Sequence, residues 1–150
     1  MKLPAGLRGA RGVVIDTNVF VYLFEDHPEF AEVADFVVGS AAAGAFHGVV
    51  TPITAAEILV KPLRLKRADI ADRLRRTLRS LPNIEWASLS AEAGFLAGAL
   101  RAAYGLPLPD MLQVATAMQS AVPCLITNDK ALQRVTEVRT FLLTDFQTSM

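Results

Sequence analysis

The sequence predicts an α/β fold of three layers, with helices covering both faces of a central, mostly parallel sheet of about five strands. Three observations carry this expectation. Short apolar runs rich in β-branched residues, of the kind buried on both faces, begin near Val13, Phe46, Ile84, Cys124 and Val138. Longer stretches between them carry apolar residues at helical spacing or helix-start signals. No repeat, linker or low-complexity tract interrupts the alternation over residues 1–150, so a single domain is expected.

Taken in order, Val13-Val14-Ile15 after Gly12 reads as the first buried strand, and the apolar segment opening with Thr17 and Asn18 as the helix behind it. His27-Pro28 breaks that helix. Phe30, Val33, Ala34, Val37 and Val38 then recur at helical spacing until Gly44. Phe46 to Thr51 is the second strand. Pro52 and Thr54 start a helix through Val60 that Pro62 should interrupt, and a charged helix follows from Ala68 to Leu81. Ile84 to Leu89 is the third strand, with Trp86 expected as a core aromatic. Ser90, Glu92 and Ala93 open an alanine-rich helix that Gly105 ends. A loop at Leu106 to Pro109 leads into a helix from Asp110 to Ala121, the fourth strand is Cys124 to Thr127, and a short helix after Asp129 precedes a last strand near Val138 to Leu143.

Composition narrows the function classes. Of 150 residues, 52% are hydrophobic and the mean hydropathy is +0.34, enough for a sizeable core with a surplus that points to an apolar interface. That surplus is assigned to a two-fold dimer, through the alanine-rich helix at Ala91 to Ala103 and the apolar face of the segment after Glu29. The net charge is zero, so attraction of nucleic acid requires a local patch. One such patch exists. Lys61 to Arg79 carries eight basic residues against Asp69 and Asp72, an excess of six, and Arg64, Lys66, Arg73, Arg75 and Arg76 are the expected RNA contacts. A solvated helix face is the bland alternative. The single cysteine, Cys124, excludes an internal disulfide and reads as a core residue. No Cys and His cluster exists, and no segment reads as a signal peptide or membrane span, so the expected place is the cytoplasm.

Four acids stand isolated among apolar residues. Asp16 is the only charge between Gly12 and Phe24, Glu57 between Gly48 and Val60, and Asp110 from Ala102 through Asn128; Asp129 follows the fourth strand as Asp16 follows the first. Each has a structural explanation: Asp16 and Asp129 as helix caps, Thr54-Ala55-Ala56-Glu57 as a capping box, Asp110 in a first helical turn. Glu57 shares a helical stripe with Ile53, Ala56 and Val60, which directs it toward packed surface. Together the acids point elsewhere, because open α/β sheets place ligands at the carboxyl ends of strands. Converging carboxylates repel one another unless a cation neutralises them, and oxygen ligands without His or Cys select Mg²⁺ or Mn²⁺. The chemistry such a site supports is metal-assisted displacement at a phosphodiester. His27 and His47 read as a turn residue and a strand-end residue.

The segments Val14-Ile15-Asp16-Thr17-Asn18, Thr54-Ala55-Ala56-Glu57-Ile58, Leu108-Pro109-Asp110-Met111-Leu112-Gln113-Val114-Ala115-Thr116-Ala117 and Leu125-Ile126-Thr127-Asn128-Asp129 occur in the order and spacing that resemble PIN-domain ribonucleases, particularly the VapC toxins of toxin–antitoxin pairs. The resemblance covers nearly the whole chain. It implies a PIN-like fold in which Asp16, Glu57, Asp110 and Asp129 form an acidic metal site, with Asp16 and Asp110 the most direct ligands and Thr17 and Thr127 the hydroxyls that order it. It also implies RNA cleavage, a homodimer, and inhibition by a cognate antitoxin whose tail enters the acidic groove. One departure is Lys130, where the family more usually has arginine or another residue. The rivals are weaker. A phosphoaspartyl phosphatase wants an aspartate where Asn18 stands, a receiver wants paired acids and a late lysine that are not met in full, and a non-catalytic PIN-like interaction module would lack some of the acids, all of which are present.

Overall fold

The computed structural model describes residues 1–147. Five strands, β1 (Val13–Ile15), β2 (Gly48–Val50), β3 (Ile84–Trp86), β4 (Cys124–Thr127) and β5 (Arg139–Leu142), form one sheet in the order β3-β2-β1-β4-β5. Every pairing is parallel. The helices are α1 (Thr17–Phe24), α2 (Ala31–Ala42), α3 (Pro52–Arg64), α4 (Ala68–Ser80), α5 (Ala91–Tyr104) and α6 (Leu108–Ala117), with short 3₁₀ turns at Lys130–Arg134 and Leu143–Phe146.

The strand alternation divides the core in two. Val13, Ile15, Val50, Cys124 and Ile126 point to the layer that holds Val19, Phe20, Val33, Val37, Ile58 and Leu78 from α1 to α4. Val14, Val49 and Leu125, which register with one another across β2-β1-β4, point to the opposite layer, with Ala93, Ala97 and Leu100 of α5 and Met111, Val114 and Ala115 of α6. That is the three-layer arrangement expected. Gly48 lets α2 sit low on the sheet, since a Cβ there would meet Ala41 Cβ and Ile15 Cδ1 at 3.2 Å each.

Several local expectations are corrected. Pro62 does not interrupt α3: its ring is buried, its position forfeits only one backbone bond, and its carbonyl accepts from Arg67 N at 2.8 Å as the chain turns toward α4. Trp86 is 38% exposed because β3 is a sheet edge, a property of strand order that local sequence does not carry. β2, β3 and β5 are shorter than their apolar runs, whereas β4 spans the expected Cys124–Thr127; α6 begins at Leu108 with Pro109 in its first turn, and it ends at Ala117. The apolar face after Glu29 is not an interface: Val33, Ala34, Val37, Val38 and Ala41 of α2 are spent in the core. The outward side of α5 is different, with Phe95 77% exposed beside Gly94, Gly98 and Ala102.

Candidate active site

The chain leaves β1 for β2 and β3 on one side and returns to β4 and β5 on the other, so the strand order reverses between β1 and β4. Crevices at the carboxyl ends of such neighbours are the preferred ligand sites of open α/β sheets. Asp16 N continues the β1–β4 ladder by donating to Ile126 O at 2.9 Å, which sets the Asp16 side chain in that crevice. The cavity there, about 330 Å³, is lined by Asp16, Thr17, Asn18, Val21, Glu57, Asp110 and Asp129. The four acids thus reach one cavity from the ends of β1 and β4, the second turn of α3 and the first turn of α6.

Asp16 is the anchor. It is 4% exposed; its Oδ1 accepts from Thr17 N at 2.8 Å and from Gln113 Nε2 at 3.4 Å, and its Oδ2 accepts from Thr127 Oγ1 at 2.8 Å. Thr127 in turn accepts from Asn18 Nδ2 and from Asp129 N, both at 3.1 Å, so its proton is directed at Asp16. Burial raises the Asp16 carboxyl above its ordinary value, against the lowering effect of the donors from Thr127, Thr17 and Gln113. Asp129 caps the 3₁₀ turn after β4 through Ala131 N at 3.0 Å while also lining the cavity. Capping and site membership are compatible for it, as they are for Asp16.

Glu57 differs from its expectation. It is exposed rather than turned to packed surface, with Oε1 held by Thr17 Oγ1 at 2.8 Å. Nor is there a capping box at Thr54: α3 starts two residues earlier, at Pro52, and the Thr54 hydroxyl lies 2.9 Å from that of Thr17. Asp110 is half-buried in the first turn of α6, and its carboxyl is lifted to about 6 by burial first and then by the charges of Asp16, Asp129 and Glu57.

The donors facing the cavity are carboxylate, hydroxyl and amide oxygens, which fit a hard dication, and the Asp110 carboxyl, raised first by burial, is raised further by three neighbouring acids whose charge a cation would offset. Among the described residues no three His, Cys, Asp or Glu side chains stand close enough to make a ligand set by themselves. Mg²⁺ tolerates that spacing, since it takes one or two carboxylates and keeps several waters.

Of the expected RNA contacts, Arg73 lines a groove between α1, α3 and α4 that shares Val21 and Glu57 with the acidic cavity. Arg75 lies with Trp86 and Arg79 in a separate apolar recess. Arg64, Lys66 and Arg76 are exposed and line neither. His27 Nδ1 accepts from Glu29 N and Phe30 N, and His47 Nδ1 accepts from Gly12 N while its Nε2 reaches Glu85 at 3.2 Å, so both are structural. The residue that sequence reading passed over is Gln113, 1% exposed and bonded into the site. Its signal was an amide in the otherwise apolar run Met111-Leu112-Gln113-Val114-Ala115.

Comparison with known proteins agrees with this architecture. No curated protein sequence matches significantly. Solved structures do: VapBC2 from Rickettsia felis bound to a promoter DNA fragment (20% identity, 87% of this chain and 97% of that chain, TM-score 0.70), a toxin–antitoxin complex from Klebsiella pneumoniae (22%, 91% and 99%, 0.64), and FitAcB from Neisseria gonorrhoeae (19%, 88% and 98%, 0.67). At these identities they establish the shared fold. Residues 13–138, which include β1 to β4 and all four acids, match the family model described as PIN domain, and the chain therefore belongs to the PIN-domain family.

Proposed function

We propose that this protein is a metal-dependent endoribonuclease, a single nuclease domain acting as the VapC-type toxin of a toxin–antitoxin pair in the cytoplasm. One observation carries the catalytic part: four carboxylates from four separate segments line one cavity at the strand-order switch. Asp16 and Asp110 are the most direct metal ligands, with Glu57 and Asp129 completing the acidic ring. Bound Mg²⁺ or Mn²⁺ supplies Lewis acidity at the phosphodiester and a water of lowered pKa. The chain's own part is positional. Thr17 holds Glu57 and Thr127 holds Asp16 Oδ2, so the acids are oriented before metal or substrate arrives.

RNA is the substrate the surface favours. The basic excess of α3 and α4 borders the acidic cavity through the groove that carries Arg73 with Lys61, paired to Glu25, and Arg67, paired to Asp69; these surface pairs are weak enough to exchange for the phosphates of a single strand. The same groove, about 360 Å³ and floored by Val21, Phe24, Ile58, Leu65, Ile70 and Leu74, suits an amphipathic antitoxin segment that ends at the acids. The similar structure from Klebsiella pneumoniae is itself a toxin–antitoxin complex, which supports that partner. The exposed face of α5 around Phe95 is the surface assigned to a second copy. Among the described residues no helix is long and apolar enough to cross a membrane.

The test is cleavage of single-stranded RNA by purified protein with Mn²⁺ or Mg²⁺. Activity should vanish in the Asp16→Asn variant while its circular dichroism stays native. Cleavage that persists in the variant assigns the acids to structure alone.

A further inference from the structure

The geometry assigns to Gln113 a positioning role: its buried carboxamide sets the direction of a hydroxyl chain that fixes Glu57 and Asp16 relative to each other as metal ligands. This rests on the acidic metal site proposed above.

The direction follows from donor and acceptor counting. Thr51 Oγ1 donates to Gln113 Oε1 at 2.6 Å, which places the carbonyl oxygen of the amide toward Thr51 and its NH₂ toward the site. Gln113 Nε2 then donates to Thr54 Oγ1 at 3.1 Å, with Asp16 Oδ1 at 3.4 Å and Thr17 Oγ1 at 3.5 Å within reach of its other proton. Thr54, having accepted from the amide, turns its own proton to Thr17 Oγ1 at 2.9 Å. Thr17 accepts and passes its proton to Glu57 Oε1 at 2.8 Å. The hydroxyls between Gln113 and Glu57 therefore point one way, toward a carboxylate, and a second arm of the same amide ends on the other carboxylate.

An amide is the side chain this position requires. It presents one acceptor and two donors on a flat, rigid group, whereas a carboxylate presents no donor and would reverse the chain. Gln113, Thr51 and Thr54 are each at most 1% exposed, so water cannot replace a missing link. Among the described residues no buried side-chain nitrogen or oxygen lacks a partner, and the network is complete as it stands. Partners of this kind orient metal ligands without touching the ion, and their loss typically costs about 10- to 100-fold in metal affinity or activity.

Mn²⁺ binding to the purified full chain, read by the electron paramagnetic resonance of free Mn²⁺, tests the assignment. Gln113→Met keeps volume and removes the amide; Thr54→Val keeps shape and breaks the next link. Each should weaken Mn²⁺ binding about 10-fold or more. The double variant should lose no more than the worse single one, because both cut one chain. Leu100→Ala, a core substitution in α5 that lowers stability away from the site, should leave Mn²⁺ affinity unchanged. Affinities within twofold of the parent for both single variants overturn the assignment, as do losses that add. Should Gln113→Met fail to fold, Thr54→Val alone decides. Asp110→Asn separates the two levels of the argument: loss of binding there with none in the network variants removes only the role of Gln113, while binding retained in Asp110→Asn removes the metal site itself.

Discussion

Replacing Asp110 by asparagine is predicted to stabilise the metal-free protein while ending catalysis. Burial and the charges of Asp16, Asp129 and Glu57 lift the Asp110 carboxyl from 3.8 to about 6. A rise of that size corresponds to at most about 3 kcal/mol at neutral pH, which solvent screening of a half-buried side chain reduces to about 1 kcal/mol. Asparagine also forfeits the favourable placement of a carboxylate in the first turn of α6, worth roughly 0.3 kcal/mol at an accessible site. The net gain is therefore about 0.5–1 kcal/mol, or about 2 °C in melting temperature for a chain of this size. The sign with pH is fixed by linkage. A carboxyl whose pKa is raised by folding binds its proton more tightly in the folded state, so the repulsion is absent below about pH 4 and fully expressed above about pH 6. Thermal unfolding in chelator at about pH 8 and about pH 4.5, beside an RNA cleavage assay with Mn²⁺, measures both halves. A variant less stable than the parent at about pH 8, or a difference of the same size at both pH values, refutes the reasoning.

Other outcomes follow from the same geometry. Excess chelator should abolish RNA cleavage and added Mn²⁺ restore it; cleavage undiminished by chelator removes the metal from the reaction. At limiting Mn²⁺, affinity for the ion should fall as the pH drops through about 6, where Asp110 takes up its proton, and a flat profile between about pH 5 and 7 would count against its ligand role. Arg73→Ala, in an Asp110→Asn background, should weaken RNA binding and flatten its salt dependence by up to about one contact, at a slope of about 0.7; an unchanged slope returns this arginine to a solvated face. Phe95→Glu should convert a dimer to a monomer by light scattering, and a parent protein that is already monomeric at micromolar concentration refutes the interface.

The layered parallel sheet was readable because each buried strand is a short apolar run and each helix carries its own periodicity, as Val13–Ile15 and Cys124–Thr127 illustrate. The acids were readable for the complementary reason, that an isolated charge in an apolar context needs explaining. What local sequence does not encode is strand order. Trp86 lies on an edge strand only because β3 is last in the sheet, and α2 spends its apolar face on the core only because the helix returns across β1 and β2. Gln113 escaped notice because a lone polar residue on an apolar helix is commonplace. Its meaning depends on Thr51, Thr54 and Asp16, which lie 59 to 97 residues away in the chain.

The reversal of strand order between β1 and β4 also governs when activity can arise. Asp16 is made early, yet Thr127, the donor that fixes its Oδ2, lies 111 residues later. The β1–β4 pairing that joins them closes a loop containing β2, β3 and all of α1 to α6. Pairings between segments so distant in sequence cannot form until the intervening chain is made, and such non-local contacts form slowly. A partly synthesised or partly folded chain can therefore present Asp16 and Glu57 without an organised site. Catalytic competence is tied to completion of the sheet, and for an enzyme proposed to cut RNA this confines activity to chains that have finished folding.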